Sequence, residues 1–273
     1  MHSKSVSQHP SLIVGEPSLR SAEELRKLKH NCARRKDPNI IYMTVDIRND
    51  LHAEWGFNTP KHFACEALTP EILVNLIHPV WQSINLAFRD ENYVIAAELM
   101  ARQEPLEVRF QFNLPLRRKD GKYYWFKQVV YPVTYDDNGN VVHFMKELRL
   151  MTDFDKLAPE KPSIYLEGSS DNAYTHRIQK AGELAFAQAF AHLISDAGFK
   201  LLDCYRSRVT FNGTKWTSPE KKEVEQTLGL SRSALNKAVV RLMGGVKQAA
   251  PAIVTETIGD FAGFLNDFFG TPA

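Results

Sequence analysis

The stretch that decides the fold is Leu106–Leu150, LEVRFQFNLPLRRKDGKYYWFKQVVYPVTYDDNGNVVHFMKELRL. Apolar and polar residues alternate from Leu106 to Leu116, and a period of two predicts a strand with one buried face. Asp120-Gly121 is a strong hairpin signal, and a second turn signal follows at 136–140. The stretch therefore predicts three consecutive antiparallel strands whose apolar face other elements must cover.

Length and composition are those of an ordinary globular protein. The chain has 273 residues, 44% hydrophobic and 24% charged, which favours two modest domains. A net charge of +2 gives no global attraction to polyanions, so nucleic-acid binding would require a local patch. Cys32, Cys65 and Cys204 are widely spaced and odd in number, which argues against a disulfide framework or a zinc site. With no signal-peptide core and no run of about 20 apolar residues, we expect a cytoplasmic protein without a membrane partner.

The residues around this sheet predict the remaining elements of an N-terminal domain over 39–155. Residues 1–38 read as a flexible lead-in followed by a short helix over 21–33, capped by Ser21 and Glu24. Two strands follow, at Asn39–Ile47 and His52–Phe57. Thr59-Pro60 and Thr69-Pro70 are helix starts, and 80–100 predicts two helices with a break near 90–92.

The order of two strands, several short helices and three strands resembles the PAS domain over about 39–154. Within that family, the motifs Leu76–Pro79, Arg118–Trp125 and Asp137–Asn140 are similar to a subclass with a Lys-Asp-Gly hairpin. The subclass continues its His-Pro motif with an acidic pair, where this chain has Val80-Trp81. The resemblance implies a five-stranded antiparallel sheet in the order 2-1-5-4-3, with its concave face covered by helices and with a role as a ligand sensor.

Six residues are candidates for a ligand pocket in such a domain, although aromatic residues most often belong simply to the core. They are Tyr42, Trp55, His78, Phe110, Tyr124 and Phe126. We expect the outer face of the sheet to expose Trp125 or Phe126, depending on register, and to contact a second protomer or a signalling helix. His62 or His78 could ligate haem, but a histidine of this kind more often contacts a backbone carbonyl, and a flavin is equally unexpected, so no cofactor is required.

The remainder of the chain reads as a linker at 156–170 and a small all-α domain over 171–273. Apolar residues at helical spacing predict one long helix over 172–196. A last helix over 251–270 has a wide apolar face, so it either closes the C-terminal core or pairs two protomers.

Two short helices joined at Leu228–Ser231 resemble the helix-turn-helix of bacterial transcription regulators. Ser218-Pro219 starts the first helix, Gly229 ends it and Ser231 caps the second. The apolar residues fall where that motif packs its helices together: Val224, Leu228, Leu230, Leu235 and Ala238. Glu225 stands where the motif has a small residue, so either the helix crossing is altered or the match is fortuitous.

The resemblance implies DNA contacts from the second helix. Arg232, Ser233, Asn236 and Lys237 would face the major groove, where Arg and Asn can bind base edges. Lys215, Lys221, Lys222, Arg241 and Lys247 would neutralise phosphates. From Lys215 to Lys247 there are seven cations and three acids. The alternative is a plain helical hairpin with a solvated polar face.

Motifs of common enzyme classes, such as a P-loop, GxGxxG, HExxH and GxSxG, are absent from the sequence. The sequence therefore predicts an α+β protein that is not an enzyme: a cytoplasmic, homodimeric one-component transcriptional regulator, in which a PAS-like sensor for a small ligand controls DNA binding. The alternative is a PAS-based interaction or dimerisation module without DNA binding.

Overall fold

The computed structural model describes residues 15–35, 37–49, 53–101, 108–153, 161–213, 215–249 and 257–271. Within those ranges there are nine α-helices and eight strands. The helices are α1 (Leu19–Arg34), α2 (Thr59–His62), α3 (Pro70–Leu76), α4 (Pro79–Met100), α5 (Ala173–Phe190), α6 (Asp196–Arg206), α7 (Lys221–Leu228), α8 (Arg232–Ala249) and α9 (Ile258–Phe269). The strands are β1 (Ile40–Asp46), β2 (Ala53–Phe57), β3 (Val108–Arg117), β4 (Tyr123–Tyr135), β5 (Val141–Asp153), β6 (Ser163–Leu166), β7 (Thr210–Phe211) and β8 (Trp216–Thr217). The predicted α+β class is confirmed.

An antiparallel sheet forms the centre of the molecule, in the order β2-β1-β5-β4-β3-β6. Its first five strands follow the expected order 2-1-5-4-3. The sheet has a sixth strand, β6, that the sequence does not predict. It lies within 156–170, so the prediction that this whole stretch is a linker is wrong. β6 pairs with β3 from Val108–Leu166 to Gln111–Ser163 and covers an edge that would otherwise expose unpaired backbone groups.

The predicted turns between β3, β4 and β5 are closed by aspartate side chains. Asp120 Oδ1 accepts a hydrogen bond from the Lys122 backbone N–H at 3.0 Å. Asp136 Oδ1 accepts from the backbone N–H groups of Asn138 and Asn140 at 2.9 and 2.8 Å. Such local bonds favour a tight turn over a continued strand, so both hairpins follow from local sequence.

Trp125 and Phe126 are adjacent in β4, and both are fully buried. The expectation that one of them is exposed is therefore wrong. The pairing of β4 with β5 shifts between these two residues, and such a bulge re-aims the neighbouring side chains. Trp125 contacts aromatic rings of α4 and α9, whereas Phe126 packs against Phe63 near α2.

Several helices differ from their predicted bounds; α7, for example, begins at Lys221 and not at Ser218-Pro219. α1 begins at Leu19 because Ser18 caps it; the hydroxyl of Ser21 instead accepts the Tyr135 N–H at 3.2 Å. α4 is one helix of 22 residues without a break at 90–92. It continues because Glu91 pairs with Arg177 of α5 at 2.7 Å, so tertiary contacts override the weak helix propensity there. The predicted helix over 172–196 ends at Phe190, and α6 starts after Ser195, whose hydroxyl accepts the Gly198 N–H.

α9 is buried against the sheet and the helix layer. Ten of its twelve residues are buried, and its capping box at Thr257 and Asp260 fixes where it starts. The ring of Phe268 lies 4.5 Å from that of Trp81 and 5.7 Å from that of Trp125. α9 therefore closes a core inside one chain, and its apolar face is not available to pair protomers.

One continuous hydrophobic cluster joins the sheet, α4, α5 and the C-terminal helices. α5 packs along α4 and also contacts β6, so it does not lie on the outer face of the sheet, where a signalling helix was expected. That face is partly covered by α1, with Cys32 against Tyr42 and Met145. The predicted domain boundaries, which divide the chain into 39–155, a linker at 156–170 and 171–273, stay a prediction.

Candidate functional site

A cavity of about 130 Å³ lies between the sheet and α4. One row of paired residues across four strands forms its floor: Phe110 of β3, Val130 of β4, Lys146 of β5 and Met43 of β1. Phe112 and Gln128 are paired in the next row. Directly paired residues share a face of the sheet, so all of these side chains point towards the helices.

One face of α4 forms the opposite wall. Asn85, Arg89, Asn92, Tyr93 and Ala96 line the cavity at positions i, i+4, i+7, i+8 and i+11. These spacings place the five side chains on one helix stripe. The stripe is polar although it faces the interior, which is the reverse of the usual arrangement.

Two amide oxygens in the cavity are buried without a hydrogen-bond partner among the described residues: Gln128 Oε1 and Asn92 Oδ1. The Gln128 side chain belongs to a residue that is only 4% exposed. A buried amide oxygen without a partner costs roughly 1–3 kcal/mol. Most buried polar groups in proteins are satisfied, so this pair marks a place where a bound molecule or water completes the structure.

Positive charge dominates the cavity. None of its described lining residues is acidic, whereas Arg89 and Lys146 both line it. Burial, assisted by the charge of Arg89, lowers the pKa of Lys146 to about 8. Burial also raises the pKa of the Tyr93 hydroxyl to about 12, so Tyr93 is neutral at physiological pH. The cavity can therefore offer cationic donors from Lys146 and Arg89 and neutral acceptors from the two amides.

The structure does not bring the six predicted pocket residues together. Phe110 lines the cavity, whereas Tyr42 lies in the cluster beneath α1 on the outer face of the sheet. Phe126 is buried in the core beside Phe63, and Tyr124 lies at the first hairpin, donating to Asp120 Oδ2 at 2.9 Å. His78 is at the start of α4 with its ring 4.8 Å from that of Tyr123, and burial lowers its pKa to about 4. The side chain of Trp55 lies outside the described residues.

His62, the other histidine considered as a haem ligand, contacts a backbone carbonyl. Its Nε2 lies 2.7 Å from the Pro38 carbonyl oxygen, which accepts the hydrogen bond. Among the described residues, no group of three His, Cys, Asp or Glu side chains could hold a metal ion.

Sequence reasoning missed Gln128 and Lys146, yet both leave a signal in the sequence. On β4 the positions that face the helices read Phe126, Gln128, Val130, and on β5 they read Phe144, Lys146, Leu148. In each strand a polar residue interrupts an apolar face. A residue of this kind is costly unless it has a partner, so such interruptions point to function.

The second candidate site is the exposed side of α8, which follows α7 after a three-residue turn. Gly229 ends α7 with φ 62°, a left-handed conformation that favours glycine, and its N–H donates to the Glu225 carbonyl. The Ser231 hydroxyl accepts the Ala234 N–H at the start of α8. Val224 of α7 and Leu235 of α8 are both fully buried, and the two helices contact each other. The spacing of apolar residues in the sequence therefore predicted correctly which residues of this helix pair are buried.

The solvent side of α8 forms a mainly polar and cationic stripe, which the exposed apolar Val240 interrupts. Its exposed residues are Arg232, Ser233, Asn236, Lys237, Val240, Arg241, Gly244, Lys247 and Gln248. Lys221 and Lys222 are exposed beside it at the start of α7. The Lys221 ammonium donates to Asn236 Oδ1 at 3.1 Å, which joins the two helices at this surface.

Glu225 is half-buried on α7, and its Oε1 has no hydrogen-bond partner in the described ranges. The carboxylate therefore lies beside the α7–α8 contact without stabilising it. The two helices still pack together through Val224 and Leu235, so a large residue at this position does not prevent their contact.

A chain of contacts connects the cavity with α8. On the face of α4 next to the cavity stripe, the ring of Phe88 lies 5.6 Å from that of the cavity residue Phe112 and 5.9 Å from that of Phe268 in α9. On α6, the nearly buried Arg206 donates to Asn266 Oδ1 at 3.1 Å and to the Gly270 carbonyl at 2.8 Å, both at the end of α9. Arg206 also pairs with Glu183 of α5. Since α6 packs against α7 and α8, the two candidate sites share one framework.

No helix in the described ranges combines the length and the apolar composition that crossing a membrane requires.

No family model and no curated protein matches this chain. Among solved structures, the VqmA–DPO complex of a phage is similar with a TM-score of 0.36 and 10% sequence identity, over 86% of this chain and 91% of that one. The Vibrio cholerae VqmA dimer, described with LuxR-type receptors, is similar with a TM-score of 0.29 and 10% identity, over 90% of each chain. Similarity at these TM-scores assigns no function to this chain.

Proposed function

We propose that this protein is a ligand-responsive transcription regulator, in which α7 and α8 bind DNA and the cavity beneath α4 senses a small molecule. The observation that carries this proposal is the stripe on α8. It is long, exposed and free of acidic residues from Arg232 to Gln248, on a helix held by a well-packed turn. A helix with these properties fits the major groove of DNA.

Residues at the start of α8 would read bases, because the N-terminal part of a recognition helix enters the groove first. These are Arg232, Ser233, Asn236 and Lys237. Lys221, Lys222 and Arg241 would contact phosphates on either side and fix the position of the helix. The bond from Lys221 to Asn236 Oδ1 supports this role, since it leaves the Asn236 amide N–H groups free to donate to an acceptor on a base edge.

The contacts of α4 support coupling between the two sites. A ligand in the cavity touches α4, and Phe88 of the same helix contacts both the cavity residue Phe112 and Phe268 of α9. A ligand with different affinities for two arrangements of α4 and α9 would shift the equilibrium between them. We further propose that the protein acts as a homodimer on two half-sites, as is usual for readers of this kind.

Selection of retarded genomic fragments in a gel-shift assay tests the proposal. We expect bound fragments at low salt, with an affinity that falls steeply as salt increases because counterions are released. Arg232→Ala should weaken binding by about 1–3 kcal/mol and relax specificity, whereas Lys222→Ala should weaken all sequences similarly and reduce the salt slope by about 1.

Lys200→Ala is the matched control, because Lys200 is exposed on α6 away from the stripe. It should leave binding within about twofold of the unmodified protein, corresponding to less than about 0.5 kcal/mol. If no fragment is retarded at low salt, or if Lys200→Ala weakens binding as much as Arg232→Ala does, the assignment of α8 is wrong.

A further inference from the structure

The size of the cavity limits what it can hold. Its volume of about 130 Å³ is close to that of an engineered protein cavity of about 150 Å³ that binds benzene. Phe110, Phe112 and Phe144 supply apolar walls suited to a flat ring. A six-membered ring with one or two substituents therefore fits, whereas a haem or a flavin does not.

The charged side chains of the cavity determine the sign of the charge that a ligand must carry. Lys146 lies in the row of Phe110, Val130 and Met43, in the middle of the apolar face of the sheet. The guanidinium of Arg89 is engaged by Asp90 at 3.1 Å, but no acidic residue among the described lining residues faces Lys146. A buried ammonium is costly without a partner, so an anion brought by the ligand would be strongly favoured.

The buried amide oxygens determine a second feature of the ligand. Gln128 Oε1 and Asn92 Oδ1 need hydrogen-bond donors that the described part of the protein does not supply. Lys146 pairs directly with Val130, so Gln128 is its diagonal neighbour on the same face, at about 7–8 Å between backbone positions. A ring with an anionic group on one side and a donor on the other would bridge them.

We propose that the cavity binds a small cyclic organic acid whose carboxylate or enolate pairs with Lys146 and whose hydroxyl or N–H group donates to Gln128. This inference rests on the proposed function, in that it names the kind of molecule that the sensor detects. The ammonium of Lys146 favours a ligand with a negative charge, the two amide oxygens favour a ligand with a hydrogen-bond donor, and the aromatic walls favour a ligand with a ring.

Isothermal titration of the full chain with three ring compounds of similar size tests the inference: 4-hydroxybenzoate, 4-hydroxybenzamide and benzoate. We expect 4-hydroxybenzoate to bind at least about tenfold more tightly than its neutral amide, which lacks the negative charge, and than benzoate, which lacks the donating hydroxyl. Lys146→Met should abolish the preference for acid over amide. Gln128→Leu should abolish the preference for 4-hydroxybenzoate over benzoate.

Arg149→Met provides the control, since Arg149 lies on the same strand as Lys146 but is exposed on the outer face. It should leave all three affinities unchanged. Equal binding of acid and amide, an unchanged preference in Lys146→Met, or no binding of any compound would overturn the inference; the last result would mean that the cavity holds only water. If 4-hydroxybenzoate binds as expected while no DNA fragment is retarded, the proposed regulator fails but the ligand class stands.

Discussion

Replacing Lys146 by methionine should stabilise the protein at neutral pH. Methionine keeps the length and apolar stem of the lysine side chain and removes only the ammonium, which has no acidic neighbour among the described residues lining the cavity. A residue that lowers stability while lining a cavity is expected at a binding site, where function is retained at the expense of stability.

The magnitude follows from the pKa of Lys146. Burial, assisted by Arg89, lowers that pKa from its ordinary value of 10.5 to about 8. At about 1.4 kcal/mol per unit, the charged form lowers the free energy of unfolding by about 3–4 kcal/mol. The full destabilisation is present below about pH 8, where the amine is charged in both folded and unfolded states, and it disappears as the pH approaches 10.5, where both are neutral.

Urea unfolding of the two proteins at several pH values measures this difference. We expect Lys146→Met to be more stable by about 3–4 kcal/mol at pH 7 and by less than about 1 kcal/mol at pH 10. Arg149→Met should change stability by less than about 0.5 kcal/mol. If Lys146→Met is destabilising at pH 7, or if the difference does not change with pH, the argument from burial is wrong.

Three further substitutions test the packing around the sites. Arg206→Ala should destabilise the protein by about 3–5 kcal/mol in urea unfolding, because it leaves buried acceptors in α9 without their donor. Gly182→Ala should destabilise by about 1–2 kcal/mol despite a better helix propensity, because the added methyl would lie 2.2 Å from the Phe88 ring. Glu225→Ala should stabilise by about 1 kcal/mol, since it removes a carboxylate oxygen that is buried without a partner in the described residues.

Each of these expectations has its own check. The double variant Gly182→Ala with Phe88→Leu should recover part of the loss, because the smaller side chain leaves room for the methyl; additive losses would exclude the clash. Arg206→Lys should also destabilise, since lysine cannot reproduce the forked geometry of the guanidinium. A stability unchanged by Glu225→Ala would mean that solvent already satisfies the carboxylate.

The local signals in the sequence were reliable where one residue and its near neighbours decide the structure. The two aspartate-closed hairpins between β3 and β5, the Thr69 cap of α3 and the Gly229 turn before α8 all depend on contacts within a few residues. Period-two alternation likewise identified the apolar face of β3, because side-chain direction in a strand is a local property, but the expectation of a single buried face is wrong, since Gln111 and Asn113 on the other face are buried too.

Predictions failed where distant residues compete with local preference. The continuation of α4 through 90–92 depends on Arg177 of α5, which is 86 positions from Glu91. The burial of both Trp125 and Phe126 depends on a bulge against β5. The predicted pocket failed for a related reason, since aromatic residues are common in any core, and only strand register showed that Phe110 shares a face with Gln128 and Lys146.

The α+β class and the α7–α8 pair follow from the sequence alone, because hydrophobic period, caps and turn residues act over a few positions, whereas the order of the first five strands was implied by the resemblance to the PAS domain. The tertiary structure alone decided that β6 completes the sheet, that α9 closes the core against α4, and that Lys146 and two amides meet in one cavity. These features depend on contacts between residues far apart in the chain, whose free energies no local pattern encodes.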